Sequence, residues 1–258
     1  VALGKEVLFM SLTACEKEIF NRILKEELVP ATGCTEPVAI AYAAAAAKKA
    51  LGCEPEVCEA ELSGNIIKNA RCVAVPNTGG LKGIEAAVAA GVVAGRAELA
   101  LDVLSAATGR EEEIRDFLEK RGVSVRPADN DLTFFIRVTV GAGSSRAKAV
   151  IEGFHTNLVL IEKDGIELFR SGAKSNPCCV ADRSMLTVEK IVEFADVADL
   201  AEIREILERQ IAFNSAISEE GLKGDWGANV GKVILKTFGD SPESRLKAVA
   251  AAGSDARM

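Results

Sequence analysis

The sequence predicts an α+β protein: an Ala/Gly-rich helical part over residues 10–122 and 174–258, and a small antiparallel β lobe over 123–173. Three observations carry this. Small residues recur at helical spacing, in Ala43–Ala47 and in Gly83, Ala87, Gly91 and Gly95, which predicts helices that pack closely. Leu132, Phe134, Ile136, Val138 and Val140 alternate with Thr133, Phe135, Arg137 and Thr139, the period of a strand. Arg146–Glu152 and Thr156–Glu162 read as further strands, and Lys163-Asp164-Gly165 turns into Ile166–Phe169 with the chemistry of a hairpin.

The chain has 258 residues and a formal charge of -7, enough for one large domain or two small ones. Apolar residues make up 48% but aromatic ones only 5%, so the core rests on Ala, Val, Ile and Leu. The acidic balance, without a basic stripe, argues against a nucleic-acid partner. The longest uncharged apolar runs, Val38–Ala47 and Ala86–Gly95, are too short to span a bilayer. The first six residues carry charge and show no signal-peptide pattern. Met10-Ser11-Leu12 resembles a natural start, with Val1–Phe9 a remnant upstream of it. Seven scattered cysteines, an odd number, suit a reduced, cytoplasmic protein.

In chain order, Glu16–Leu28 is a helix with Ile19, Phe20, Ile23 and Leu24 on one face, ended by Pro30. The corner Ala31-Thr32-Gly33-Cys34-Thr35-Glu36-Pro37 follows. Thr35 suits an N-cap, Glu36 the positive end of a helix and Pro37 its first turn; the helix runs from Val38 to Leu51 and Gly52 stops it. Cys34 then lies just outside a helix N-terminus, where a thiolate is favoured, as a nucleophile or a metal ligand requires. A buried cysteine closing a tight corner is the other reading. Val57–Leu62 is a strand leading into Ser63-Gly64-Asn65-Ile66-Ile67-Lys68-Asn69. Here Ser63 or Asn65 caps a helix whose free N–H groups, with Lys68, would hold a substrate carboxylate. The plainer alternative is a strand-to-helix turn with a solvated lysine.

Cys72–Pro76 is a short extended piece and Pro76–Gly80 a loop. A helical region spans Leu81–Ala107, and Thr108 with Glu111 forms a capping box for a helix that Gly122 stops. The only histidine, His155, opens a strand. Ser175–Cys179 is a linker with the vicinal pair Cys178-Cys179. From Thr187 onward the chain is helical: Leu200–Ser218 behind Asp199 and Glu202, then Trp226–Phe238, then a helix opened by Ser241-Pro242. The chain stops just after an apolar helical run, the pattern of a cut rather than a natural terminus.

Four of these stretches, in order, match one family: Gly33-Cys34-Thr35-Glu36-Pro37, Ser63–Ala70, His155-Thr156-Asn157 and Ser254-Asp255-Ala256-Arg257-Met258. The chain resembles the L-cysteine desulfidase family, itself similar to the alpha chain of bacterial iron–sulfur L-serine dehydratases. The resemblance implies β-elimination of L-cysteine to sulfide, pyruvate and ammonia, with L-serine the analogous substrate. It also implies a [4Fe-4S] cluster held by three cysteines, its open iron acting as a Lewis acid. Cys34 matches the first cluster ligand. The other two ligand cysteines lie beyond the Ser-Asp-Ala-Arg-Met segment in that family, so the chain is expected to be an N-terminal part with an incomplete cluster site, which a C-terminal fragment would complete. A homo-oligomer is expected. Beside Cys34, our own candidates for proton transfer are Glu36, Lys68 and His155, and for substrate binding Thr35, Ser63, Asn65 and Asn69. Two other classes stay open: a non-catalytic module that binds an amino acid or docks on a partner, and a hydrolase in which His155 activates Cys34.

Overall fold

Helix α2, Thr35–Leu51, is apolar on nearly every side because it is covered on nearly every side. It lies across strands β3 (Phe135–Ala142), β4 (Ser145–Glu152) and β5 (Leu158–Lys163) and is covered in turn by α4 (Gly83–Ala94). The computed structural model describes residues 12–30, 33–171 and 181–256. The suggested start at Met10, the Cys178-Cys179 pair and the last two residues of the terminal motif lie outside them. Cys34 is the N-cap through its backbone, and Thr35, expected to cap, is the first helical residue. Gly52 closes the helix at φ 82°, its N–H bonded to Lys48 O.

The glycine stripe does what its spacing predicts. A Cβ on Gly91 would lie 2.2 Å from Ala41 O, so only glycine lets α4 approach α2 this closely. The helix is shorter than the predicted Leu81–Ala107. Gly95 turns to extended geometry, Arg96 N donates to Val103 O, and a 3-10 turn over Ala97–Asp102 carries Ala100 at φ 48°. Two glycines within five residues weaken the helix just where the chain bends. Helix α5, Glu111–Arg121, also starts later than predicted. Thr108 does not cap it, and the Glu111 carboxylate instead accepts Gly109 N–H ahead of the first turn.

The sheet is mixed and six-stranded, in the order β2-β1-β3-β4-β5-β6. The antiparallel lobe expected over 123–173 is therefore corrected in two ways. β1 (Val57–Leu62) sits inside the sheet, antiparallel to β3, and β2 (Ser124–Pro127) pairs with it in parallel. The parallel pair follows from the long crossover through α3 (Gly64–Ala70), α4 and α5. β1 is held between its neighbours by the mostly buried Glu61, which pairs with Arg126 on β2 and Arg137 on β3. The hairpin to β6 (Ile166–Arg170) turns at Asp164 and Gly165, both at positive φ, as the sequence predicts.

The remaining helices pack separately: α6 (Val188–Val197), α7 (Leu200–Lys223), α8 (Val230–Phe238) and α9 (Pro242–Asp255). The first helix, α1 (Ala14–Glu27), joins them. Phe20 stacks on Phe194 at 4.8 Å, and Lys190 pairs with Glu16. No helix among the described residues is long and apolar enough to cross a membrane.

If the α2–α4 contact holds the core, Gly91→Ala lowers unfolding free energy by about 1–3 kcal/mol. Gly64→Ala, where a Cβ meets nothing within 4 Å, changes it by less than about 1 kcal/mol. Urea unfolding of the two variants decides the matter; equal losses would refute it.

Candidate active site

Three segments meet at the end of the sheet where β1 finishes and β3 begins. The Ser63 hydroxyl makes the corner: it donates to Thr133 O at 3.0 Å and accepts Phe135 N–H at 3.2 Å. That fixes the start of α3 against β3. On the neighbouring strand, Phe135 is paired with Glu152 at the end of β4, so the β4–β5 turn with His155 comes to the same edge. Gly153 N bonds to Phe134 O, the Asn157 amide donates to Glu152 O at 2.7 Å, and His155 stands edge-on to the Phe134 ring at 4.7 Å. The first turn of α2 supplies the third segment.

Glu36 is the centre of the cluster. Its Oε2 accepts the Cys34 thiol at 3.3 Å and the Thr35 hydroxyl at 3.4 Å; its Oε1 accepts the Asn69 amide at 3.2 Å. Burial pushes its pKa up. The hydrogen bonds from Cys34, from its own backbone N–H and from Asn69, with the charge of His155, outweigh this and leave it below the ordinary carboxylate value. His155 moves down: burial disfavours the imidazolium, and the Glu36 charge recovers only part of the loss. The imidazole is thus neutral at pH 7. Its buried Nε2 has no hydrogen-bond partner among the described residues.

Cys34 reverses its expectation. Instead of a favoured thiolate, it is pushed from 9.0 to about 11, first by burial and then by the Glu36 carboxylate that takes its proton in a hydrogen bond. The N–H groups of Thr35 and Glu36 pull the other way and lose. The Cys34–His155 hydrogen bond that the hydrolase alternative would need is not formed: the thiol bonds to Glu36 instead.

Of the sequence candidates, Cys34, Thr35, Glu36, Asn69 and His155 come together. Ser63 is adjacent and is the N-cap of α3 through its backbone, as expected, but its hydroxyl is committed to β3 and is not free for a ligand. Asn65 and Lys68 are exposed on the short helix α3 and take no part in the Glu36 hydrogen bonds. Asn65 lies one turn before Asn69 on the same face. A cavity of about 400 Å³ opens beside Cys34, lined by Gly33, Thr35 and Pro30 and by Phe213 and Ile217 of α7. The α7 contribution had no signal in the sequence, because it depends on how two separately packed groups of helices meet.

A [4Fe-4S] cluster on three cysteines does not fit the described residues. Cys34 is the one thiol in the cluster of side chains. Cys58 is buried in β1 with its pKa pushed to about 12, and Cys15, Cys53 and Cys72 are exposed on other elements. No group of three or more His, Cys, Asp or Glu side chains placed to hold a metal ion occurs among the described residues.

The chain is similar to UPF0597 proteins. It is 47% identical over 243 residues to one from Desulfitobacterium hafniense, a match covering 93% of this chain and 56% of that protein. It is 44% identical over 239 residues to one from Lachnoclostridium phytofermentans (92% of this chain, 57% of that one) and 39% identical over 245 residues to one from Fusobacterium nucleatum (92% and 57%). The chain thus spans under three fifths of the length of these curated relatives. No protein-family model and no solved structure matches it. The names of these relatives state no activity, so they bear neither on the desulfidase resemblance nor on its cluster.

Two measurements check the electrostatics. With a single histidine, the imidazole resonances are unambiguous. Their NMR titration falls below 6.5 in this chain and lower still in Glu36→Gln, which removes the charge that raises it. An unchanged midpoint in the variant would separate the two groups. Cys34 alkylation by iodoacetamide, followed by peptide mass, rises with a midpoint near 11, and Glu36→Gln moves it toward 9.0. A midpoint of 9.0 or below in the unaltered chain would restore the thiolate reading.

Proposed function

We propose that this chain is the acid–base part of a lyase that carries out β-elimination on L-cysteine or L-serine. The reading is supported above all by one convergence: Cys34-Thr35-Glu36, Asn69 and His155, from three of the four segments that carry the desulfidase resemblance, gather round one carboxylate. Elimination needs a base for the α-proton and an acid for the leaving group. Neutral His155, whose buried Nε2 has no hydrogen-bond partner among the described residues, suits the base. The proton moves from Cα to Nε2, its electron pair forms the Cα–Cβ double bond, and the Cβ–S or Cβ–O bond breaks. The departing sulfur or oxygen takes a proton from an acid in the site or from water. The enamine becomes an imine, and water releases pyruvate and ammonia.

Glu36, already holding three donors, is suited to positioning rather than to proton abstraction. Cys34 keeps its proton at neutral pH. Asn65 and Lys68 on α3 are the groups left to meet a substrate carboxylate. These roles are those of this chain's own side chains. A second reading is a binding module that holds an amino acid without turning it over, and the cavity beside Cys34 favours it.

The test is sulfide release from L-cysteine and pyruvate formation from L-serine by this chain joined to the unmatched part of the D. hafniense protein, with calorimetric binding of both. For the lyase, His155→Gln lowers kcat/KM by about 10²-fold or more, and the rate of the unaltered chain falls as pH drops through the lowered pKa of His155, because the base becomes protonated. Binding of either amino acid with no product, under anaerobic and iron-supplemented conditions alike, would leave the binding module.

A further inference from the structure

Helix α7 is 24 residues long, yet its buried residues are Ile203 near one end and Gly221 near the other. Every residue from 208 to 216 is exposed, including Ile211 and Phe213. A helix in a folded protein is held mainly by the apolar stripe it buries, and this one leaves its middle bare. α8 repeats the pattern. Gly231 lets it press on α9, where a Cβ would lie 2.6 Å from Ala248 O. Val230 and Val233, one turn apart, are exposed, and Phe238 at the end of the helix is exposed at 72%. Leu246 on α9 is exposed at 74%. Apolar surface repeated over three neighbouring helices marks an interaction surface rather than scattered exposure.

The relatives supply an occupant. This chain is matched over 93% of its own length but covers 56% of the D. hafniense protein, and the other two relatives give nearly the same proportions. In each of them the matched region is joined to further polypeptide approaching its own length, and so large a segment needs a face to pack on. We propose that the exposed apolar face of α7 and α8 is the docking surface for that further segment, present in the same chain or as a separate one. Phe213 is exposed on α7 and also lines the cavity beside Cys34, so the docked segment would wall that cavity. This does not rest on the lyase reading.

Amide hydrogen exchange on this chain and on the intact D. hafniense protein tests it. Residues 208–216 exchange rapidly here, and the aligned segment in the relative exchanges about tenfold or more slowly. Equally rapid exchange in the relative would overturn the proposal. So would a dimer of this chain, by sedimentation, that already protects 208–216, since a second copy would then be the occupant. Co-expression with the unmatched part of the relative as a tagged chain gives a second readout if that part is recovered soluble. The two co-purify, and Val233→Glu with Phe238→Glu cuts recovery about tenfold while Ile166→Glu on β6 leaves it unchanged. Equal recovery from all three would also overturn it.

Discussion

The contact between α2 and α4 sets where everything else lies. α2 fills the space between the sheet and α4, and Gly91 and Gly95 let the two helices approach to backbone distance. The helix so clamped begins with Cys34, Thr35 and Glu36, so the position of the candidate site follows from packing several turns away. Small residues serve here twice. They make a tight interface where few bulky side chains exist, and they fix the helix axis closely enough to aim its first turn at α3 and the β4–β5 turn.

Around Glu36 the balance is electrostatic. The helix start offers N–H groups that favour an anion, and both Cys34 and Glu36 stand there to take it. The carboxylate wins because it is the stronger acid, and once it is charged it holds the thiol protonated. The two shifts act on stability in opposite pH ranges. Glu36, lowered, contributes above its unfolded pKa and loses that contribution as pH falls through its folded value. Cys34, raised to about 11 from 9.0, contributes nothing against ionisation below 9 and weakens the fold as pH climbs above it, where the unfolded thiol ionises first. The cluster is most stable between the two.

Much of this was legible in the sequence. Strand alternation, the Asp164-Gly165 turn, the Ser241-Pro242 helix start and the small-residue stripe each depend on local chemistry, and each stands where the residues put it. The failures are non-local. β1 reads as a strand, but nothing in Val57–Leu62 says that it pairs with both 124–127 and 135–142. Thr108 and Glu111 satisfy a capping pattern that Gly109, at positive φ, prevents. Ser63 reads as a cap and stands at the N-cap of α3, but nothing local says that its hydroxyl goes to β3. At the site, the residue types were legible because acids, amides and a lone histidine are few. Their roles were not, because the same helix start that should ionise Cys34 also carries Glu36 two residues on.

That adjacency constrains the chemistry. A carboxylate holding a thiol, a hydroxyl and an amide has little acceptor capacity left for a substrate proton, whereas the buried Nε2 of His155 has no hydrogen-bond partner among the described residues. Removing a proton from carbon calls for an acceptor with an open lone pair and a pKa not far from neutrality. In the lyase reading proposed above, His155 is the group suited to this, and its charge when protonated would be met by Glu36. Glu36 is therefore better understood as the group that fixes the protonation states of its neighbours: it keeps the proton on Cys34 and steadies the one that His155 would receive.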